Sequence, residues 1–362
     1  MRLSGIQIRQ LSLSTGLRAL VLMGQYGQGM PDRNLPDPPT APIFDMAKKA
    51  WIFSRYADVL AAFREERLVP IGNPRQEQSV PQDASHRLKL RTETMAALSP
   101  ARLAEWREQF AAIANRRMDE LAKDRPVDLI GEFLQQWCVD VAIVATGADP
   151  ADRARLMGLA SQLSAFTKDP VPESRAAAAR AELGQVFSNR AMGEPAFVAL
   201  SQTLPCFLGN AWLELLRNPG QLERLQKQPH LMPGAVEELL RYAGVTQKLF
   251  RRATESVSLG DVTIAAGQAV ILMIASANRD PDQFANPDHL DIERRPAGQL
   301  GLGAAAHSCV GAALIRMAAA VATAALIGKV DPETVNPRVA WGAGADCPSV
   351  IEVRLASVPE GR

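Results

Sequence analysis

The feature that most restricts this chain is "QLGLGAAAHSCVGAALIRMAAAVATAALI", Gln299 to Ile327. From Val310 onward it is apolar almost all round, with Arg316 its one charge. A helix of that kind has no face for water and must lie inside a core. Before it stand the small residues Gly301 and Gly303 to Ala306, and then His307, Ser308 and Cys309. Small residues opening a helix let another group approach the backbone. Gly301, Gly303 and Ala306 fit the dinucleotide pattern G-x-G-x-x-A, which needs a preceding strand and an acid about 20 residues on. Here the loop follows the polar, proline-broken "ERRPAGQL", and the next acid is Asp331, beyond the helix. That context fails. A sulfur at a helix N-terminus is stabilised as thiolate by the dipole and by unpaired N–H groups, and a flat macrocycle could lie against Gly303 to Ala306. Sulfur ligation of haem iron uses all these features. An isolated cysteine is as readily a small core residue, so the rest of the chain must decide.

The 362 residues, 47% of them hydrophobic, suffice for one large domain or two ordinary ones. Few aromatics and a net charge of +1 give no support to nucleic-acid binding. Cys138, Cys206, Cys309 and Cys347 lack C-x-x-C spacing, so no disulfide framework is suggested and the thiols are expected to be reduced. His86, His230, His289 and His307 share no helix face at ligand spacing, which argues against a protein zinc site. The apolar run Leu17–Met23 is too short to span a bilayer and lacks a small-residue cleavage site. A cytoplasmic chain without a membrane span is the expectation.

Residues 31–42 are a proline-rich lead-in. Residues 51–65 read as a short strand and a helix capped near Ser54, residues 69–85 as a polar loop. From His86 to about Ala122 the pattern is helical, with Pro100 opening a second helix after Ser99. Residues 133–147 form a buried helix stopped by Gly147. Residues 173–190 and 233–243 are helical, and 197–217 is a long apolar stretch interrupted by Pro205. The clear strand region is 257–275. The fold class is mainly α with minor β.

The loop resembles the haem loop of the cytochromes P450, F-G-x-G-x-H-x-C-x-G. Leu302 stands for its phenylalanine and Ala305 for its second glycine, while Gly303, His307, Cys309 and Gly311 are in place. "EELLRY" matches the family's E-x-x-R with Glu238 and Arg241. Arg251 in "RRATESVSLGDVTIAAGQAV" stands where the family binds a haem propionate. His289 in "ANRDPDQFANPDHLDIERRP" takes the place of the arginine that completes a triad with Glu238 and Arg241. Arg87 and Arg91 stand near a further propionate-binding pair. The resemblance runs from about Trp51 to Ile327 and implies a lead-in over 1–50 and one domain over 51–362. That domain would be a triangular helical prism with small β-sheets, holding haem b with Cys309 as metal ligand.

Two departures qualify the implied activity. The family's oxygen-activating helix carries A-G-x-[D/E]-T, and here Ala199, Leu200, Ser201, Gln202 and Thr203 stand there. Thr203 survives, but an amide cannot ionise to relay protons as a carboxylate does. Pro205 removes an amide from the helix ladder and is expected to kink it. Only about 50 residues separate Gly147 from Ala199, fewer than the resemblance implies, so the roof over the pocket is trimmed. The leading reading is a monooxygenase acting on a hydrophobic small molecule with a ferredoxin or flavodoxin electron donor. Thr203 and Gln202 would be its catalytic pair, and Leu200, Thr246 and Leu249, with the loop around Cys347, its substrate wall. Lys89, Arg91 and Arg107 are candidates for docking the donor. A peroxide-dependent or non-oxygenating haem enzyme is the second reading. A haem-binding protein that recruits a partner through its trimmed roof is the third.

Overall fold

The strand Ala50–Phe53, buried at both ends, has a neighbour on each edge, one from just before it in the chain and one from more than 200 residues on. The computed structural model describes residues 39–71, 84–163, 171–188, 192–294, 298–341 and 347–356, the side chains of 84–90 and 173 excepted. β1 (Ile43–Asp45) folds back on β2 (Ala50–Phe53), so the described end of the lead-in contributes a strand. α1 (Tyr56–Arg64) follows. Ser54 does not cap it. The Ser54 hydroxyl donates to the Thr40 carbonyl at 3.1 Å, and the Tyr56 N–H donates instead to Asp280 Oδ2 at 2.8 Å. A charged acceptor makes the stronger cap, and it comes from 224 residues away, out of reach of local reading. β3 (Leu68–Pro70) opens the segment read as polar loop.

α2 (Ala84–Ala97) and α3 (Pro100–Glu120) divide as expected, with Ser99 Oγ accepting from the Arg102 N–H at 3.3 Å. Trp106, Phe110, Ala114 and Met118, four apart, form the buried stripe of α3. β4 (Val127–Asp128) leads into a π-helical turn (Leu129–Leu134) and α4 (Gln135–Thr146). Gly147, at φ 65°, stops α4 with its N–H turned back to Ile143 and Val144. Residues Leu129–Thr146 are long and apolar enough to cross a membrane, yet here they are mostly buried within the fold. α5 (Arg153–Ser161) and α6 (Glu173–Val186) come next. Asp140 accepts from Arg117 and Arg153, each at 2.6 Å, and ties α3, α4 and α5 together.

α7 (Glu194–Val198), a π turn (Ala199–Thr203) and α8 (Leu204–Arg217) make up the long apolar stretch. Pro205 therefore falls in the first turn of α8, where a missing N–H is tolerated. The preceding turn widens instead, with the Leu204 N–H reaching back five residues to the Ala199 carbonyl. α9 (Pro219–Lys227) and α10 (Met232–Ala243) complete this half of the core.

β5 (Leu249–Ala253), the hairpin of β6 (Val257–Leu259) and β7 (Val262–Ile264), and β8 (Ala269–Leu272) follow. The main sheet runs β1-β2-β8-β5-β3, with β2 and β8 parallel and the other pairs antiparallel. α11 (Ile274–Ala277) leads into the meander. α12 (Ala312–Ile327) packs against α3, α10 and α8, buried as its composition requires. β9 (Arg338–Trp341) and β10 (Pro348–Val353) form a second small sheet with β4.

One expectation is overturned here. Cys206 and Cys347 form a disulfide, with Cα atoms 5.4 Å apart. A Cβ at Gly209 would meet Ile130 Cδ1 at 2.9 Å and Pro348 at 3.4 Å, so α8 lies close against β10. Cys206, three residues earlier, shares that face. A spacing of 141 residues carries no local signal for the pairing.

Candidate functional site

A cavity of about 760 Å³ opens between α2, α7, α8, the end of α10, β5 and the cysteine loop. That is within the range of roughly 300–1,000 Å³ usual for cofactor and small-molecule sites. Cys309 lies on one side of it and is exposed to it. The Cys309 N–H donates to the Leu302 carbonyl at 2.7 Å, and its own carbonyl accepts from the Ala312 N–H at 3.1 Å. The loop is thus a closed turn that delivers the sulfur just before α12. Gly303, at φ 74°, makes the turn possible, since a Cβ there would meet the His307 carbonyl oxygen at 2.3 Å. Ala305 has φ 51°, so an alanine occupies a left-handed position that favours glycine.

The expected cations converge on the same cavity. Arg251 lines it from β5 and is 5% exposed. Its Nη1 donates to the Phe250 carbonyl at 3.0 Å, while its buried Nε has no partner. Burial alone lowers the guanidinium from its ordinary range to about 10. Arg91 lines the cavity from α2 and donates to the Ser308 carbonyl at 2.7 Å. His307 and Gly311 also line it. The side chains of Arg87 and Lys89 lie outside the described residues. Arg107 is exposed on α3.

Thr203 is exposed and lines the cavity, as do Leu200, Thr246 and Leu249. Gln202 does not line it. It is buried, its Nε2 donating weakly to Ser201 Oγ at 3.4 Å and its Oε1 unpartnered. Cys347, bound to Cys206, does not line the cavity either, and residues 342–346 lie outside the described set. Leu204 and Phe207 do, and the sequence reading missed them. Their signal was helical spacing: 200, 203, 204 and 207 share one face.

The acid–arginine cluster needs a correction. Arg241 holds Glu238 with two bonds, Nε to Oε2 at 2.7 Å and Nη2 to Oε1 at 2.8 Å, both side chains almost wholly buried. The third side chain is Arg294, not His289. Arg294 Nε sits 3.1 Å from both Glu238 oxygens. His289 is exposed and contributes only its backbone carbonyl, which accepts from Arg241 at 3.3 Å and Arg294 at 3.2 Å. A guanidinium fork fits carboxylate and carbonyls together, which one imidazole cannot.

A helical fold that presents one cysteine sulfur to an apolar cavity ringed by cations defines a haem-thiolate protein. Comparison with known proteins agrees. Residues 219–336 match the cytochrome P450 family. Cytochrome P450 107B1 of Saccharopolyspora erythraea is 28% identical over 332 residues, 77% of this chain and 81% of that protein. The vitamin D(3) 25-hydroxylase of Pseudonocardia autotrophica is 30% identical over 339 residues, covering 82% and 83%. Among solved structures, CYP109E1 from Bacillus megaterium in complex with corticosterone superposes with TM-score 0.74 at 19% identity, covering 86% of this chain and 94% of that one. HinD, solved with NMFT and NO, gives 0.70 at 27%, covering 84% and 89%. The chain belongs to the cytochrome P450 family.

The family's cofactor is haem, and the residues here fit it. An exposed sulfur faces apolar walls, and a buried arginine with an orphaned Nε borders the same space. Such an arginine suits an anionic carboxylate, which would satisfy both its charge and its free N–H.

Proposed function

We propose that the chain is a monooxygenase that oxidises a hydrophobic small molecule, with Cys309 as the residue whose sulfur would bind the iron of its haem. The observation that carries this reading is Cys309, exposed at an apolar cavity that Arg251 borders. Haem, when bound, supplies the dioxygen chemistry. The chain supplies the setting. Arg251, Arg91 and His307 would hold the propionates, while Gly303 and Gly311 keep the backbone open beside the sulfur. Leu200, Leu204, Phe207, Thr246 and Leu249 exclude water and hold an apolar substrate. Thr203, which reaches the cavity, holds the hydrogen bond through which water passes protons. Gln202, off the wall, acts through its contact with Ser201 and not at the substrate. Electrons come from a ferredoxin or flavodoxin. The relative that hydroxylates vitamin D(3) supports an apolar substrate class.

One observation favours a second reading. Among the described residues lining the cavity there is no Asp or Glu, so no carboxylate there relays protons to oxygen. Peroxide brings both electrons and both protons with it, so no proton need be drawn from outside. Only the shift of one proton between its own oxygens is left to assist. The deciding experiment begins with the spectrum of the haem-loaded, reduced protein under carbon monoxide. A strongly red-shifted Soret band is expected, and its loss in C309A. An ordinary haem–carbonyl band in the parent protein would overturn the ligand assignment. Turnover with a ferredoxin pair supports the first reading, and turnover with peroxide alone supports the second.

A further inference from the structure

α10 carries two adjacent carboxylates, and they face different work. Glu238 is sealed in the core on Arg241 and Arg294. Glu237 looks the other way, toward the cysteine loop. Its Oε1 accepts from Arg316 Nε in a short contact, and its Oε2 accepts from Arg316 Nη2 at 3.1 Å and from Gln299 Nε2 at 3.3 Å. Gln299 in turn accepts the Gly301 N–H at 2.6 Å. One carboxylate therefore grips both ends of the segment that presents Cys309. Gln299 lies at its entry, and Arg316 lies in the helix that follows.

Arg316 is the one charge on α12 and stands seven residues after Cys309. Cys309 ends the loop just before α12, and Arg316 stands little more than one turn inside that helix. Long helical side chains lean toward the N-terminus, which brings the guanidinium back toward the sulfur. Arg316 is held above its ordinary range, first by the hydrogen bond to Glu237, against the opposing effect of burial, then by the charges of Glu237 and Cys309. Arg316 thus answers first to Glu237.

We propose that Glu237 and Arg316 are positioning residues for the thiolate of Cys309: the pair fixes the Cys309 segment and adds no net charge of its own to that segment. The inference rests on Cys309 being the axial ligand. Without Glu237, the uncompensated cation of Arg316 draws electron density from the sulfur and favours the reduced, more negative haem. Without Arg316, the carboxylate of Glu237 does the reverse.

The test is the reduction potential of the full-length, haem-loaded protein, with the reduced carbon monoxide spectrum recorded beside it. E237Q keeps the shape and removes the anion, and its potential should rise. R316Q should lower it. The double variant E237Q/R316Q should return close to the parent value, because the two charges offset each other. R316K, which restores charge without the fork, should recover the potential of the parent but show a larger fraction of protein with an ordinary haem–carbonyl band. Shifts of one sign in both single variants would mean general loosening of the loop and overturn the inference, as would no shift at all. Should E237Q fail to hold haem, R316Q decides alone: a fall supports the inference, and a rise or no change overturns it. If the parent protein lacks the thiolate band, the ligand assignment itself has failed, a result distinct from these.

Discussion

Two positions in the cysteine loop, two residues apart, should respond in opposite directions to opposite substitutions. Gly303 and Ala305 both have positive φ, 74° and 51°. A left-handed residue other than glycine costs about 1–2 kcal/mol. In G303A the new Cβ would also start 2.3 Å from the His307 carbonyl oxygen, a backbone atom that cannot swing aside. The turn must open, and the 2.7 Å bond from the Cys309 N–H to the Leu302 carbonyl is the one at risk, worth about 1 kcal/mol. The sum is a loss of about 2–3 kcal/mol. A305G removes a penalty of about 1–2 kcal/mol but gives the unfolded chain freedom worth about 0.4–1 kcal/mol. Its net effect is a gain of up to about 1.6 kcal/mol, centred on ~0.8 kcal/mol. Urea unfolding of the two variants beside the parent measures both, and the reduced carbon monoxide spectrum reports whether the sulfur has moved. G303A should also lose part of its thiolate band, and A305G should keep all of it. A neutral G303A, or an A305G as unstable as G303A, would refute the loop geometry.

Three further outcomes are expected. R294A should destabilise the fold by about 1–3 kcal/mol, because it strips hydrogen bonds from a buried carboxylate, whereas H289A, at an exposed side chain, should stay within about 0.5 kcal/mol; chemical unfolding separates them. C206S should lower stability by up to about 5 kcal/mol on the loop-entropy argument, and the double variant C206S/C347S should match reduced parent protein and no longer respond to reductant. R251Q should lose haem to an acceptor protein about 10–100-fold faster, the equivalent of one charge-assisted hydrogen bond, with R251K falling between it and the parent.

Local chemistry carried much of this fold into the sequence. Pro100 behind Ser99, Gly147 after an apolar run, and the all-apolar α12 each state their structure within a few residues, and each is found as read. What could not be read depends on distant partners. Tyr56 is capped by Asp280, Cys206 finds Cys347, and Leu249–Ala253 becomes a strand because β8 and β3 lie on either side of it. The site divides the same way. The cysteine loop was legible because glycine, small residues and a helix start are local facts. The triad was only half legible: Glu238 and Arg241 are three apart on one helix, but Arg294 arrives through a meander whose register no short motif fixes. Gln202 shows a different limit. Its place beside Thr203 in sequence suggested a shared wall, and the π turn at Ala199–Thr203 sends neighbouring side chains to different sides.

The parallel pairing of β2 with β8 sets an order on the ribosome. Ala50 must wait for Ala269, and at ~5–20 residues per second that wait lasts about 10–40 s. Through that time β2, carrying Trp51 and Phe53, has no partner on its β8 side, a ready target for chaperones or for another chain. Cys309 emerges later still, after every strand of the main sheet has been made. If Cys309 holds the haem as proposed, that bond is available only at the end of biosynthesis, when the strands of the main sheet are already made.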